Sequence, residues 1–341
     1  MIGRSLHVLN LVLLTSILFV VLVVAGLYFW LSQDLPRLPK NLQHINLSLP
    51  TEIYSSDGER IKILGERHPI ALEDISPYFT KAIIGVEDSR FYRHSGIDHK
   101  GLVRALWTNL RKKRIAQGGS TITQQLSKNL FFSFERNWVR KIKELFIAFQ
   151  LEASFSKGQI LQAYCNQIYF GSGAYGVEEA AQVYFRKRAK DLTLYQAALL
   201  AGLPNSPNNA NPFAHYERAM QRTKYVLNRM VSENLISLDE KELALQSDID
   251  LVKPRVESNP NLYFVDQVLE QIEKVYGKEF AHFGGLKIVT TLDTQYQKLA
   301  LKSARNHLEA LESRIVKERG AGPLQVALVA IENKSGAVRV M

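Results

Sequence analysis

The chain has 341 residues, 46% of them hydrophobic and 22% charged, and is long enough for two domains with a core in each. Lys and Arg outnumber Asp and Glu by 43 to 33, which favours an anionic partner such as a membrane surface or a phosphate-bearing substrate. Nucleic acid is disfavoured because the sequence has no zinc-finger, basic-zipper or RNA-binding aromatic motif. The lone cysteine, Cys165, excludes an internal disulfide, and its helical apolar context predicts a buried thiol.

The first predicted element is an apolar segment, residues 11–31, that contains no charged residue. A helix of this length spans the hydrocarbon core of a bilayer. A cleaved signal peptide is the alternative, but this segment is long for one and ends in aromatic residues rather than a small-residue cleavage site. The sequence therefore favours an uncleaved anchor, although basic residues on both sides leave its orientation open.

Residues 34–50 contain three prolines and are typical of a linker. Residues 51–64 alternate in polarity around the turn sequence SDG, which predicts a β-hairpin. From Ser76 to about Met230 the pattern is mostly helical. We expect Ser76 to cap the first of these helices, with Pro77 in its first turn.

The segment GVEDSRFYRHSG, residues 85–96, places an acidic pair where an apolar helix runs out. Glu87 follows Ile84 by three residues and Ile83 by four, so its carboxylate emerges from the apolar face if the helix continues. Desolvation there would raise the pKa of the carboxyl and make it a usable acid or base near neutral pH. Spacing alone favours the alternative, a helix-terminal glutamate in a surface ion pair. His94 by itself is typical of a structural histidine.

The segment GGSTITQQ, residues 118–125, begins with glycines that permit close approach of a ligand. We expect Ser120 to cap the helix that follows. The polar side chains of that helix either form a solvated face or a wall that contacts sugar and phosphate. They are Thr121, Gln124, Gln125 and Lys128, opposite the apolar stripe Ile122, Leu126 and Leu130.

The next predicted helix separates an apolar from a charged face. The apolar residues predicted to face the core are Trp138, Ile142, Leu145 and Phe149. The charged residues lie at helical spacing on another face, and they are Arg140, Lys141 and Glu144. A solvated, salt-bridged surface is the alternative interpretation of that face.

The following blocks are KGQILQAYCN, residues 157–166, and a glycine-rich segment at 171–176. Residues 192–203 are rich in alanine and leucine and predict a buried helix, and residues 216–247 predict two more. After residue 285 the character changes to a β-branched strand at 286–292, with Asp293 as the cap of a helix. A second strand at 325–331 then precedes a turn and the final residues.

These blocks, in this order and with a further one at 222–230, resemble the peptidoglycan glycosyltransferase domain of class A penicillin-binding proteins and of monofunctional cell-wall glycosyltransferases. The resemblance covers roughly residues 50–235. It implies a mainly α-helical, lysozyme-like domain that follows one transmembrane helix in the chain. Residues 286–341 resemble the opening of the penicillin-binding transpeptidase domain, as a small α/β fragment. The implied division is 1–33 cytoplasmic tip and anchor, 34–50 linker, 51–247 glycosyltransferase domain, 248–285 interdomain linker and 286–341 incomplete transpeptidase domain.

The resemblance implies an inverting transfer in which lipid II is polymerised into β-1,4-linked strands and polyprenyl pyrophosphate is released. Glu87 would be the catalytic base and Glu144 the second essential acid. The implied substrate-binding residues are Asp88, Phe91, His94, Ser120, Thr121, Gln124, Gln125, Lys128, Arg140, Lys141, Lys157 and Asn166. The family often uses Mg²⁺ or Mn²⁺, but no metal-site spacing is readable here. The full-length parent would be bifunctional.

The implied partners are lipid II, the growing glycan strand, membrane lipids and other proteins of cell-wall synthesis, and not nucleic acid. The implied location is the outer, periplasmic face of the bacterial inner membrane. Two other classes stay open. A lytic enzyme on the same fold would use Glu87 as an acid, but it needs no basic wall such as the one from Lys128 to Lys143. A noncatalytic scaffold is disfavoured by the acids present at both Glu87 and Glu144.

Overall fold

The computed structural model describes residues 35–39, 42, 50–65, 67–112, 119–132, 138–252, 261–319 and 324–341, together with scattered positions between 11 and 29. Those scattered positions are helical, and the rest of the predicted membrane segment lies outside the described residues. Within the described part of the chain, we find no helix whose length and hydropathy suffice for a bilayer crossing.

The described structure is mainly helical, as predicted. The first helix, α1, covers Pro77–Glu87, and α7, Leu194–Gly202, packs between it and α8, Tyr216–Ser232. Nearly every residue of α7 is buried, because its alanines and Gly202 let the neighbouring helices approach closely. The other helices of this part are α2 His99–Lys112, α3 Ile122–Phe131, α4 Trp138–Ser154, α5 Lys157–Gln167, α6 Val177–Phe185 and α9 Leu238–Gln246. Short 3₁₀ turns cover Leu72–Asp74, Phe91–Arg93 and Ala189–Asp191.

Local sequence explains most of the helix starts. Ser156, Thr193 and Ser237 each form a capping box with the residue three positions later. Pro77 occupies the first turn of α1, as predicted. The predicted cap by the Ser76 side chain is wrong, because its hydroxyl donates instead to the carbonyl of Leu192, 2.9 Å away, and so ties α1 to the start of α7.

Helix α4 turns a different face to the core from the one predicted. Ile142 and Phe149 are 37% and 45% exposed, so the predicted apolar core stripe is wrong at these two positions. α4 packs on α3 through the face that carries the acid instead. The buried residues of that face are Glu144, Ile147, Ala148 and Leu151.

The predicted hairpin is confirmed, with β1 at Thr51–Tyr54 antiparallel to β2 at Arg60–Leu64. A third strand, β3 at Lys287–Val289, adds to β1 in parallel and gives the order β2-β1-β3. Ile53 and Leu64 form a small core of their own with Val265 of α10, which covers Leu262–Tyr276. The hairpin, assigned above to the glycosyltransferase domain, is therefore packed with chain from beyond residue 261.

The last described elements follow this sheet. α11 covers Lys278–Phe283, and α12 covers Thr294–Arg319. The predicted cap of α12 is confirmed, since the Asp293 carboxylate accepts from the backbone N–H of Tyr296 at 3.0 Å. β4, Ala330–Ile331, pairs antiparallel with β5, Val338–Val340, so the strand predicted for 325–331 is limited to its last two residues.

Candidate active site

Glu87 is the last residue of α1, and it lies on a cavity of about 410 Å³ between the end of α1, the start of α3, α2 and α8. The backbone leaves the helix at Asp88, so both acidic side chains stand at this junction. The cavity lining combines carboxylates with arginine and lysine side chains. It includes Val86, Glu87, Asp88, Ser89, Asp98, Gly101, Arg104, Gly119, Ser120, Thr121, Gln125, Lys128, Asn205, Arg222, Tyr225 and Arg229.

The Glu87 carboxylate is held on one side only. Its Oε2 accepts a hydrogen bond from the side-chain amide of Gln125 at 2.8 Å. Its Oε1 is buried and finds no hydrogen-bond partner among the described residues. Burial raises the pKa of Glu87, and the Gln125 hydrogen bond and the charge of Arg222 oppose that rise. The surface ion-pair interpretation is wrong for this residue, and its carboxyl is suited to exchange a proton near neutral pH.

Asp88 joins the turn after α1 to the start of α3. Its carboxylate is buried, contacts Nε2 of His94 at 3.0 Å and accepts from the backbone N–H of Ile122 at 3.0 Å. An acid at this place complements the positive end of the α3 dipole. The junction that carries Glu87 is thereby fixed to α3, which carries Gln125.

The cap of α3 is Thr121, and the prediction of Ser120 for this role is wrong. The Thr121 hydroxyl accepts from the backbone N–H of Gln124 at 3.2 Å and donates to the carbonyl of Gly96 at 2.7 Å. The Gln124 side chain donates to the same carbonyl at 3.1 Å, so it holds the loop after His94 and does not line the cavity. Ser120 does line the cavity and accepts from Nζ of Lys141 at 3.1 Å.

Glu144 is 2% exposed and sits between two cations of its own helix. Its Oε1 lies 3.0 Å from Nε of Arg140, and its Oε2 lies 2.9 Å from Nζ of Lys141. Because the acid is buried, this group is not the solvated salt-bridged surface considered above. Glu144 fixes two positive charges beside the start of α3, although none of the three residues lines the cavity itself.

Two predicted binding residues on α5 lie away from the cavity with their polar atoms engaged. Nζ of Lys157 donates to Glu152 at 2.7 Å and lies 4.3 Å from the centre of the Phe91 ring. The Asn166 amide accepts from the backbone N–H of Ile70 at 3.1 Å and donates to its carbonyl at 2.8 Å. These placements favour a role in holding the loops rather than in contacting substrate. Phe91 and His94 are likewise buried behind the cavity.

Sequence reasoning assigned no site role to several cavity residues. Asp98 directly precedes α2 and Arg104 lies within it, in a region without a motif. Arg222 and Arg229 lie on α8, in the block at 222–230 that was noted without a role. The Arg222 guanidinium lies 4.8 Å from the centre of the Tyr225 ring, and its Nε donates to the carbonyl of Gly202 at 3.3 Å. The repeated arginines at 222–230 were the sequence feature that could have indicated a role in the site.

The described residues contain no group of three or more His, Cys, Asp or Glu side chains placed to hold a metal ion. The Glu144 oxygens both face cationic side chains, which does not suit a divalent cation. The lone thiol is confirmed as buried, and burial raises the pKa of Cys165.

The sequence profile of one protein family, described as Transglycosylase, matches residues 57–231. Penicillin-binding protein 1A of Aquifex aeolicus is 44% identical over 273 residues, which cover 80% of this chain and 37% of that protein. Penicillin-binding protein 1A of Vibrio cholerae is 39% identical over 305 residues, 88% of this chain and 37% of that protein. The chain thus spans a little over a third of the length of these relatives.

A crystal structure of penicillin-binding protein 1A from Haemophilus influenzae is also similar, with 27% sequence identity. The similarity covers 85% of this chain and 33% of that one, with a TM-score of 0.41.

Proposed function

Because the chain belongs to the transglycosylase family, we propose that it is a peptidoglycan glycosyltransferase of bacterial cell-wall synthesis. The donor is a lipid-pyrophosphate-linked glycan strand, and the acceptor is lipid II. The observation that carries the proposal is the Glu87 carboxylate, buried at the wall of a cavity with one oxygen bound by Gln125.

Glu87 acts as the general base in this proposal. Its Oε1 takes the proton from the acceptor sugar hydroxyl as that oxygen attacks the anomeric carbon of the donor. Inversion at that carbon gives a β-1,4 linkage, which is the logic of inverting glycosidases with a sugar hydroxyl in place of water. The raised pKa of Glu87 makes its carboxylate a stronger base than an exposed glutamate.

Negative charge develops on the pyrophosphate leaving group, and nearby cations stabilise it. Lys128 lines the cavity, and Arg140 and Lys141 are fixed by Glu144 beside the start of α3. Glu144 contributes by ordering these two cations. Arg222 also lines the cavity, and its positive charge acts on Glu87.

The remaining assignments are proposals of the same kind. The catalytic part faces outward at the inner membrane, with residues 11–31 as its anchor and lipids as neighbours. The parent protein continues into a transpeptidase domain and works with other cell-wall proteins. The family resemblance would add Mg²⁺ or Mn²⁺ near the pyrophosphate, but the described residues offer no group of ligands for it, and the reaction proposed here does not depend on it.

The test is to incubate the detergent-solubilised full chain with lipid-linked disaccharide and to separate the products by size. We expect long glycan chains, and we expect none from Glu87→Gln. A lytic enzyme on the same fold would instead shorten preformed glycan and leave the lipid-linked substrate intact. That outcome would show a lytic enzyme and would refute the proposed polymerase.

A further inference from the structure

Tyr164 of α5 lies behind the cavity wall and is fully buried. Its hydroxyl donates to Oε1 of Gln125 at 3.1 Å, on the far side of the amide from Glu87. A buried hydroxyl with one well-placed acceptor holds that acceptor in one orientation.

We infer that Tyr164 is a positioning residue, whose hydroxyl fixes the Gln125 amide with its N–H directed at Glu87. The inference rests on the proposed role of Glu87 as the base. The chemistry of the three groups requires this polarity. An ionised carboxylate only accepts, so the amide N–H must face Glu87 and the amide oxygen must face Tyr164.

Tyr164 can only serve this role as a neutral donor, and its surroundings keep it neutral. Burial, and next the charge of Glu87, raise the pKa of Tyr164 well above its ordinary value. The hydroxyl therefore stays protonated over the whole range in which Glu87 titrates. The two oxygens of Glu87 then differ, since Oε2 is bound by Gln125 and Oε1 is left to take the proton of the acceptor.

Without the hydroxyl, the oxygen of Gln125 is buried beside a phenyl ring and loses its donor. A flip of the Gln125 amide by 180° then becomes favourable, because its oxygen can accept a hydrogen bond from the protonated Glu87 carboxyl. Tyr164→Phe should therefore raise the pKa of Glu87 further and favour its inactive, protonated form. The acidic limb of the profile of polymerisation rate against pH should move to higher pH. At pH values well above the Glu87 pKa, the rate should change little.

Other groups around Glu87 are unchanged by this substitution, because it removes no charge. They are Asp88 after α1, Asp98 before α2, Arg104 on α2, Lys128 on α3, and Arg222, Tyr225 and Arg229 on α8. Tyr184→Phe is a matched control. It removes another buried tyrosine hydroxyl, one that donates to the carbonyl of Phe170 at 2.9 Å and does not line the cavity.

The experiment measures two quantities on the full chain. One is the polymerisation rate against pH. The other is the titration of the Glu87 carboxyl by ¹³C NMR, with its resonance assigned by its loss in Glu87→Gln. We expect Tyr164→Phe to shift both midpoints upward together and to lower the rate about fivefold on the acidic limb, the effect of one hydrogen bond. Tyr184→Phe should shift neither.

Gln125→Met supplies an independent measurement if Tyr164→Phe does not melt cooperatively. It should raise the Glu87 midpoint by itself, and adding Tyr164→Phe should raise it no further. A folded Tyr164→Phe with wild-type titration overturns the inference, as does an unchanged Glu87 midpoint in Gln125→Met. The titration needs no turnover, so a wild-type chain that polymerises nothing refutes the proposed function and leaves this test intact.

Discussion

At the scale of single residues, the site depends on Glu87, whose ionised form is destabilised by burial. Glu87 is half-buried at the end of α1 with its Oε1 buried, and only Gln125 donates to its carboxylate among the described residues. Glu87→Gln keeps the shape and the contact with Gln125 while removing the base. We expect polymerisation to fall to background with the fold intact, as measured by product size and circular dichroism. Near-wild-type chain synthesis would remove Glu87 from the role of base.

The same substitution should stabilise the protein in a pH-dependent way. The pKa of Glu87 is raised in the folded state, so folding favours the protonated form. The unfolding free energy therefore falls as pH rises from the unfolded-state pKa to the raised folded-state pKa. Glu87→Gln should melt at a higher temperature than wild type at neutral pH, and the difference should vanish in acid. An equal difference at both pH values would contradict this account of the burial.

Lys157 gives a prediction that separates structure from substrate binding. Its amine pairs with Glu152, which is 7% exposed, so Lys157→Ala would leave a carboxylate buried without its cation. We expect a loss of about 3 kcal/mol in unfolding free energy. Lys190→Ala removes an exposed pair with Asp74 and should cost less than about 1 kcal/mol. Weaker substrate binding by a Lys157→Ala protein of undiminished stability would restore the role implied by the family resemblance.

The sequence indicated only part of the cavity lining, and it did not indicate the hydrogen-bond partners that lie far apart in the chain. Glu87 was identified as the base through the family resemblance, because its spacing from Ile83 and Ile84 alone favoured a surface ion pair. Ser120 was predicted as a cap and Thr121 is the cap, because that choice depends on where the chain crosses Gly96. The attachment of Asn166 to Ile70 joins segments 96 residues apart, and no local pattern encodes it.

At the scale of elements, periodicity located helices more reliably than it located their inner faces. α4 was predicted to bury Ile142 and Phe149, since apolar residues normally face the core. The structure buries Glu144 instead, because Arg140 and Lys141 neutralise it where α4 meets α3. A charged face can be the inner one when its charges are paired, and composition alone does not reveal the pairing.

The glycine-rich turn before α6 supplies a prediction at this scale. Gly176 has φ +82° and ψ 153°, and a Cβ there would lie 2.9 Å from the carbonyl oxygen of Asn166. Gly173 also has positive φ, but a Cβ there meets nothing within 4 Å. Gly173→Ala should cost about 1–2 kcal/mol in unfolding free energy. Gly176→Ala should cost more, since backbone must also move, and equal losses in urea unfolding would show that the close approach is unimportant.

At the scale of the whole molecule, the sequence did not predict the pairing of β1 with β3. β1 pairs with β3 across more than 230 residues, and the Ser56 hydroxyl donates to the carbonyl of Leu292 at 2.9 Å. The hairpin was predicted from its alternation and the strand at 286–292 from its β-branched residues, but neither local pattern says which strand pairs with which. The hairpin at the start of the chain therefore depends on residues 286–292 for its sheet.

The final prediction concerns the membrane, from which the lipid-linked substrate of the proposed reaction must enter. The sequence FFSF, residues 131–134, lies between Lys128 and Arg136, and this mixture of aromatic and basic residues makes it a candidate for a second membrane contact beyond the predicted anchor. Phe132 is 2% exposed, so it belongs to the core, and Ser133 and Phe134 lie outside the described residues. Helix α2 offers a better surface, because Trp107 and Leu110 are both 68% exposed. A tryptophan beside basic residues suits the bilayer interface, where rings insert and cations meet anionic headgroups.

A protein that lacks residues 1–33 should therefore still sediment with anionic liposomes at low salt, more weakly than the full chain. Trp107→Ser with Leu110→Ser should reduce that binding several-fold, since both side chains would leave the apolar layer. Leu243→Ser is the matched control, because Leu243 is 66% exposed on α9. Equal loss in the control would mean that general hydrophobicity holds the protein there. If the truncated protein stays in solution, the segment at 11–31 alone holds the enzyme on the membrane.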